Sequence, residues 1–238
     1  MKKYFEIRDL LKIYGVKKIL GAVVKEIYRK FWLELIKNSY AQCGEDLIVE
    51  NIFNKKFVGK YLEIGAYHPT RLSNTYRFYK KGWRGIVVEP NPEVKDIFNK
   101  LRPEDKFCNF GISNDNRILN YFQFLIPALN TFSKKEADIS IKNGHKLKKI
   151  IKITTKTVNE ILKKNIDYLS IDTEGFDEKI LKKWNWNKCR PVVICVETDK
   201  KSNIDKLMKE KCYEKYFENK FNSIYVLKKL KPGDGHKQ

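Results

Sequence analysis

Apolar residues recur along the chain in two rhythms. Between residues 5 and 37, Ile13, Val16, Leu20, Val23, Ile27, Phe31 and Leu35 fall three and four positions apart, with Gly15 and Gly21 placed to divide the run. That spacing lines one face of an α-helix. From Ser39 onward, short β-rich runs alternate with helical stretches, the pattern of a parallel sheet covered on both faces. The predicted strands are Lys60–Ile64, Gly85–Val88, Lys106–Phe110, Tyr168–Ile171 and Val192–Val196. Between the third and fourth lies an excursion, residues 114–157, with strand-like runs at Ile118–Leu125 and Ile150–Thr155, a loop at Pro127–Ser133 and a polar stretch. Thr157 and Glu160 have the spacing of a capping box and should open the helix before the fourth strand. The pattern therefore predicts an N-terminal amphipathic helical extension over 1–38, a doubly wound α/β domain over 39–230 and a loose tail over 231–238.

Size and composition agree with one catalytic domain. The chain has 238 residues, 42% of them hydrophobic, enough apolar surface to offset the ordering entropy of a single fold. Cys43, Cys108, Cys189, Cys195 and Cys212 lie far apart with no zinc-ligand spacing, which predicts a reduced, intracellular protein. The apolar run Ile19–Val24 is too short for a signal core or a membrane span, so neither export nor a bilayer anchor is expected.

The net charge of +20 points toward anionic partners, yet 41 of the 49 basic residues are Lys and 8 are Arg. Bidentate recognition of phosphate and guanine favours the planar guanidinium, so a general lysine bias explains the charge as well as a nucleic acid does. Up to Lys37 the first segment carries ten basic and four acidic residues, and its polar side could meet an anionic membrane or pack on the catalytic domain.

Residues 60–92, KYLEIGAYHPTRLSNTYRFYKKGWRGIVVEPNP, read as strand, glycine turn, helix, strand and acidic residue. Gly65, lacking a Cβ, lets a ligand approach the backbone at a strand end. Glu89 follows Ile86-Val87-Val88 in position to accept hydrogen bonds from both hydroxyls of a ribose. The full GxGxxG is absent, so a pyrophosphate-bearing dinucleotide fits poorly. S-adenosylmethionine fits, with an adenosine for Glu89 and an amino-acid end for the first turn.

The segments AQCGEDLIVENIF (41–53), YLEIGAYHPTRLSNT (61–75), GWRGIVVEPNP (82–92), PALNTFS (127–133) and IDYLSIDTEGFDEKIL (166–181) occur in one order. In that order they resemble the successive blocks of FkbM methyltransferases. The resemblance implies a Rossmann-like fold, S-adenosylmethionine as donor and a hydroxyl of a sugar or glycoconjugate as acceptor. Carried over by position, it implies Gln42 and Asp46 near the methionine end, with Glu63, Gly65, Ala66 and Tyr67 forming the first turn. Asn74 and Thr75 would offer helix-start N–H groups to a carboxylate, Glu89 would take the ribose, and Asn109, Phe110 and Gly111 would border the adenine. Residues 1–38 lie outside the resemblance.

Chemistry is expected at the ends of the fourth and fifth strands, where Asp172 and Glu174 follow Ile171 and Glu197 follows Val196. Methyl transfer to a hydroxyl is an in-line displacement in which the acceptor loses a proton, so orientation and a nearby base supply the rate. Asp172, Glu174 and His68 are the base candidates, and the plainer reading of His68 is a brace for its turn. Asp172, Glu174 and Glu197, with Asp177, also suit a hard cation such as Mg²⁺, against a solvated acidic turn. Phe122, Phe124 and Phe132 beside Asn130 and Thr131 could offer a sugar an apolar face and polar partners. Two other classes remain open. A nucleic-acid methyltransferase is supported by charge but lacks the Asn/Asp-Pro-Pro-aromatic turn; the other is a non-catalytic protein that keeps the fold.

Overall fold

The computed structural model describes residues 39–53, 56–163, 165–197 and 203–228. The expectations for residues 1–38 and 231–238 lie outside that range. Ten strands are described: β1 Lys60–Ile64, β2 Arg84–Val88, β3 Lys106–Cys108, β4 Gly111–Ile112, β5 Ile118–Phe124, β6 Leu147–Lys156, β7 Tyr168–Ile171, β8 Val193–Glu197, β9 Tyr213–Glu218 and β10 Asn222–Leu227. The helices are α1 Glu45–Ile52, α2 Tyr76–Lys80, α3 Lys95–Leu101, α4 Lys134–Lys142, α5 Val158–Ile161, α6 Asp177–Lys183 and α7 Ile204–Glu210.

Seven strands form the main sheet in the order β3-β2-β1-β7-β8-β10-β9. The first five are parallel, and β10 runs antiparallel to both β8 and β9. Alternate residues of each strand enter opposite layers, as the pleat requires. Leu62, Ile64, Leu169, Ile171, Ile194 and Val196 pack with α5, α6 and α7 through residues such as Val158, Leu181 and Met208. Tyr61, Val87, Tyr168, Val193 and Cys195 face the other way, onto Val49 of α1, Phe78 of α2 and Phe98 of α3. Burial on both faces makes this the expected Rossmann-like, doubly wound α/β fold. Among the described residues no helix is long and apolar enough to cross a membrane.

The third predicted strand ends early. β3 stops at Cys108 because Asn109 turns aside, its amide donating to the carbonyl oxygens of Glu89 (2.8 Å) and Pro90 (3.2 Å). Gly111 then opens a second sheet, ordered β4-β6-β5, that holds both strand-like runs of the excursion. Its polar stretch is α4, capped where the Ser133 hydroxyl accepts from the Glu136 N–H at 3.3 Å. The Thr157–Glu160 capping box forms at the start of α5. The β9–β10 hairpin, not foreseen from the sequence, closes the far edge of the main sheet.

Candidate active site

Parallel strands bring their carboxyl ends to one edge, and the crevice beyond that edge is where an open α/β sheet binds ligands. Here the second sheet and the loop after β5 cover the edge and enclose a cavity of about 360 Å³. Glu63 of β1, Gly65 just after it, Glu89 after β2, Asp172 and Glu174 after β7 and Glu197 at the end of β8 all line it.

The first turn fits its residue types closely. Gly65 has φ 82°, and a Cβ there would lie 1.6 Å from the carbonyl oxygen of Asp172, so no other residue fits between β1 and β7. Tyr67, also left-handed at φ 53°, donates its N–H to Glu89 Oε2 at 2.8 Å. The Asn91 N–H donates to Glu89 Oε1 at 2.7 Å. Burial pushes the Glu89 carboxyl up to about 7, against these bonds and a hydrogen bond from the Tyr121 hydroxyl that favour the charge.

Beneath the turn lies a buried ionic network. The Thr75 hydroxyl donates to Glu63 Oε2 at 2.6 Å, and Arg102 Nη1 reaches the same oxygen at 3.1 Å. Arg102 also holds Asp105 through Nε (2.7 Å), and Tyr61 (3.0 Å) and Thr75 (2.9 Å) through Nη2. Burial raises the Glu63 pKa, and the Arg102 charge opposes that rise.

The acidic turn after β7 forms the opposite wall. One oxygen from each of Asp172, Glu174 and Glu197 lies within 4.8 Å of the others. Burial and the neighbouring Glu174 and Asp177 charges push Asp172 well above the usual carboxylate range. Burial, then Asp177 and Glu136, raises Glu174 to about 7. Glu174 itself sits at φ 52°, and its carbonyl accepts from the Thr131 hydroxyl at 3.0 Å, which ties the covering loop to the turn. Asp177 is outside the cavity wall, accepting from the Thr173 N–H at 3.1 Å to brace the turn.

Of the residues singled out from sequence, the structure brings Gln42, Glu63, Gly65, Tyr67, Asn74, Glu89, Gly111, Asp172, Glu174 and Glu197 to this cavity. Others fall elsewhere, each for a physical reason. Asp46 is buried, accepting from the Ser39 hydroxyl and from the N–H groups of Tyr40 (2.8 Å) and Leu47 (2.9 Å), so it fastens the chain to α1. Ala66 belongs to the core, and Asn109 is spent on the β2 exit. Phe110 packs against the core with the Lys156 ammonium over its ring at 5.0 Å.

Thr75 faces Glu63 and Arg102, and the N–H groups of Thr75 and Tyr76 turn to the Ser73 hydroxyl. The Ser73 hydroxyl thus takes the Thr75 and Tyr76 N–H groups. His68 also lies off the cavity wall. Its Nδ1 accepts from the N–H groups of Thr70 (3.1 Å) and Arg71 (3.2 Å), and burial followed by the Arg71 charge pushes its pKa down to about 4. Those two bonds brace the turn around His68.

On the covering side, Asn130, Thr131 and Phe132 line the cavity whereas Phe122 and Phe124 do not. The pleat of β5 turns Tyr121 inward instead, with its ring 4.7 Å from Phe132. Tyr121, Asn91 and Asn222 are wall residues that sequence reasoning missed. Asn222 is placed by Glu45, whose carboxylate accepts from the side chains of Asn219 (2.8 Å) and Asn222 (3.0 Å).

A family model described as the methyltransferase FkbM domain matches residues 63–217. No curated protein matches. Among solved structures, a methyltransferase FkbM from Methylobacillus flagellatus KT aligns at 11% identity and a TM-score of 0.44, over 71% of this chain and 43% of that one. The chain thus spans less than half of that relative. A TehB-like SAM-dependent methyltransferase from Corynebacterium glutamicum aligns at 11% identity and a TM-score of 0.43, over 87% and 100%. The 1,6-didemethyltoxoflavin-N1-methyltransferase of Burkholderia thailandensis, with 1,6-didemethyltoxoflavin and S-adenosylhomocysteine bound, aligns at 8% identity and a TM-score of 0.40, over 95% and 91%.

Proposed function

Because the chain belongs to the FkbM methyltransferase family, we propose that it transfers the methyl of S-adenosylmethionine to a hydroxyl of a sugar or glycoconjugate. The observation that carries this reading is one cavity lined by the buried Glu89 carboxyl, by the Gly65 turn and by the three clustered carboxylates of Asp172, Glu174 and Glu197. Glu89 accepts the ribose hydroxyls, and the bare backbone at Gly65 lets the nucleoside lie across the strand tips. Glu63 offers its Oε1, which accepts from the Ser73 hydroxyl at 3.4 Å, to the cationic methionyl end.

A bound S-adenosylmethionine would supply an electrophilic methyl, and Asp172 is the cavity carboxylate that would stand beside it. An acceptor hydroxyl held between Asp172 and the Asn130–Phe132 loop attacks that methyl in line. Asp172, with its raised pKa, takes the proton as sulfonium becomes thioether. Phe132 and Tyr121 give a sugar ring an apolar surface, and Asn130 and Thr131 give it polar edges. A second reading rests on the clustering of Asp172, Glu174 and Glu197 within 4.8 Å. Oxygen ligands of this kind suit Mg²⁺, which would acidify the acceptor hydroxyl. Activity lost to a chelator and restored by Mg²⁺ supports that reading; full activity in excess chelator leaves Asp172 as the base.

The acceptor in this proposal rides on a lipid-linked or nucleotide-linked carrier at the cytoplasmic face of a membrane. Support comes from the basic, amphipathic pattern of residues 1–38, suited to anionic lipid. The test offers isotopically labelled S-adenosylmethionine to nucleotide sugars, lipid-linked glycans and total RNA in parallel, at matched salt. Label in a glycan fraction supports the proposal. Label in RNA alone replaces it with the nucleic-acid reading, and label in none favours a non-catalytic protein.

A further inference from the structure

Arg102 lies just past α3, outside every motif read from the sequence, and its side chain is 0% exposed. A guanidinium carries five N–H donors and stays charged, so burying it is costly unless its partners are arranged around it. Here they are, and they converge on the cofactor cradle. Nη1 reaches Glu63 Oε2 (3.1 Å), with the Pro69 carbonyl and the Ser73 hydroxyl each at 3.5 Å, and Nη2 reaches the Thr75 hydroxyl at 2.9 Å. On its other side, Nε and Nη2 hold Asp105 and Tyr61, and Asp105 in turn accepts from the Gly85 N–H of β2 at 2.8 Å. One side chain thus ties the 69–75 stretch to Glu63 and Tyr61 of β1 and, through Asp105, to β2.

We propose that Arg102 is a positioning residue for the donor: it keeps Glu63 ionised and aimed into the cavity, so that the carboxylate meets the ammonium of the methionyl end. The inference rests on the reading of the cavity as an S-adenosylmethionine site. Charge accounting favours it. Glu63 is buried beside Asp105 and within reach of the Glu89, Tyr168 and Cys195 groups, none of which is a cation. Arg102 is the positive group among those acting on it, and the Thr75 hydroxyl is the close neutral donor. Without Arg102, the desolvated carboxyl holds its proton and must release it when a cationic ligand binds.

The test is titration calorimetry of S-adenosylmethionine into the full chain at about pH 7, repeated in buffers of different ionisation enthalpy, which counts protons exchanged on binding. Arg102→Met is expected to weaken binding by about tenfold or more and to release about one proton more than the wild type. In a Glu63→Gln background the same substitution should release no extra proton and cost far less affinity. Arg102→Lys, which keeps the charge, should release none.

A merely structural role would weaken binding equally in both backgrounds and leave the proton count unchanged, and that result overturns the proposal. If Arg102→Met does not fold, Arg102→Gln takes its place, because it removes the charge beside the same carboxylate while keeping a polar side chain. It is expected to give a smaller proton release of the same sign, and none overturns the proposal. A wild-type chain that binds no S-adenosylmethionine refutes the cofactor reading instead.

Discussion

Glu89 accepts two backbone N–H groups, from Tyr67 and Asn91, on a carboxyl that burial has pushed to about 7. A desolvated acceptor held by fixed donors is the group that ribose hydroxyls satisfy best. Removing it strands those hydroxyls and the two N–H groups. Glu89→Ala is therefore expected to weaken S-adenosylmethionine binding by about 1–3 kcal/mol, read by calorimetry, and undiminished affinity would remove the ribose from this residue. In the proposed function Asp172 faces the other substrate. Asp172→Asn keeps the shape and loses basicity, so turnover should fall roughly 10²-fold or more while cofactor affinity stays close to wild type. Turnover within a few-fold of wild type would take the proton transfer away from Asp172. Residues beside a strand tip, such as Gly65 and Glu89, were legible because the β-α-β rhythm announces where a tip must fall. Tyr121 and Arg102 were not. Their roles depend on which face of β5 turns inward and on a loop end returning beneath β1, and both are set by tertiary packing.

The acidic turn between β7 and α6 behaves as a unit. Glu174 and Gly175 both hold positive φ, at 52° and 107°, which folds Asp172 and Glu174 back toward Glu197. Non-glycine backbone in that region is strained and is retained where the surroundings fix it, here by the Thr131 hydroxyl on the Glu174 carbonyl. The crowded carboxyls give the turn a pH signature. Glu174 has a folded-state pKa of about 7, above its ordinary value of 4.5. A carboxyl raised on folding stabilises the protein while protonated, and that contribution is lost as pH rises through about 7. Glu174→Gln should therefore raise the melting temperature near pH 8 and leave it nearly unchanged near pH 5, measured by calorimetry without ligand. An equal shift at both values would mean that the turn does not destabilise the fold by charge. Among the elements, β1, β2, β7 and β8 were legible because strands buried on both faces read as continuous apolar runs. The Lys106–Phe110 run joined a true strand to an exit, since propensity does not report that Asn109 caps the carbonyls of Glu89 and Pro90 just past β2. The β9–β10 hairpin alternates in burial less regularly, with a register shift at Ile224 and Tyr225, and its sequence does not announce a pair.

Across the whole molecule, the net charge of +20 contrasts with a cavity whose ionisable wall is acidic. No lysine lines the cavity among the described residues, and on the proposed function the positive charge of S-adenosylmethionine would meet Glu63 and the carboxylates after β7. The account therefore stands on how one ligand lies along one cavity. A crystal structure of the full chain with S-adenosylhomocysteine measures this directly. The predicted result is a ribose with its hydroxyls on Glu89, an amino-acid end beside Glu63 and Gly65, and a sulfur facing the carboxylates of Asp172, Glu174 and Glu197. A nucleoside bound away from Glu89, or a sulfur turned from those carboxylates, would contradict it.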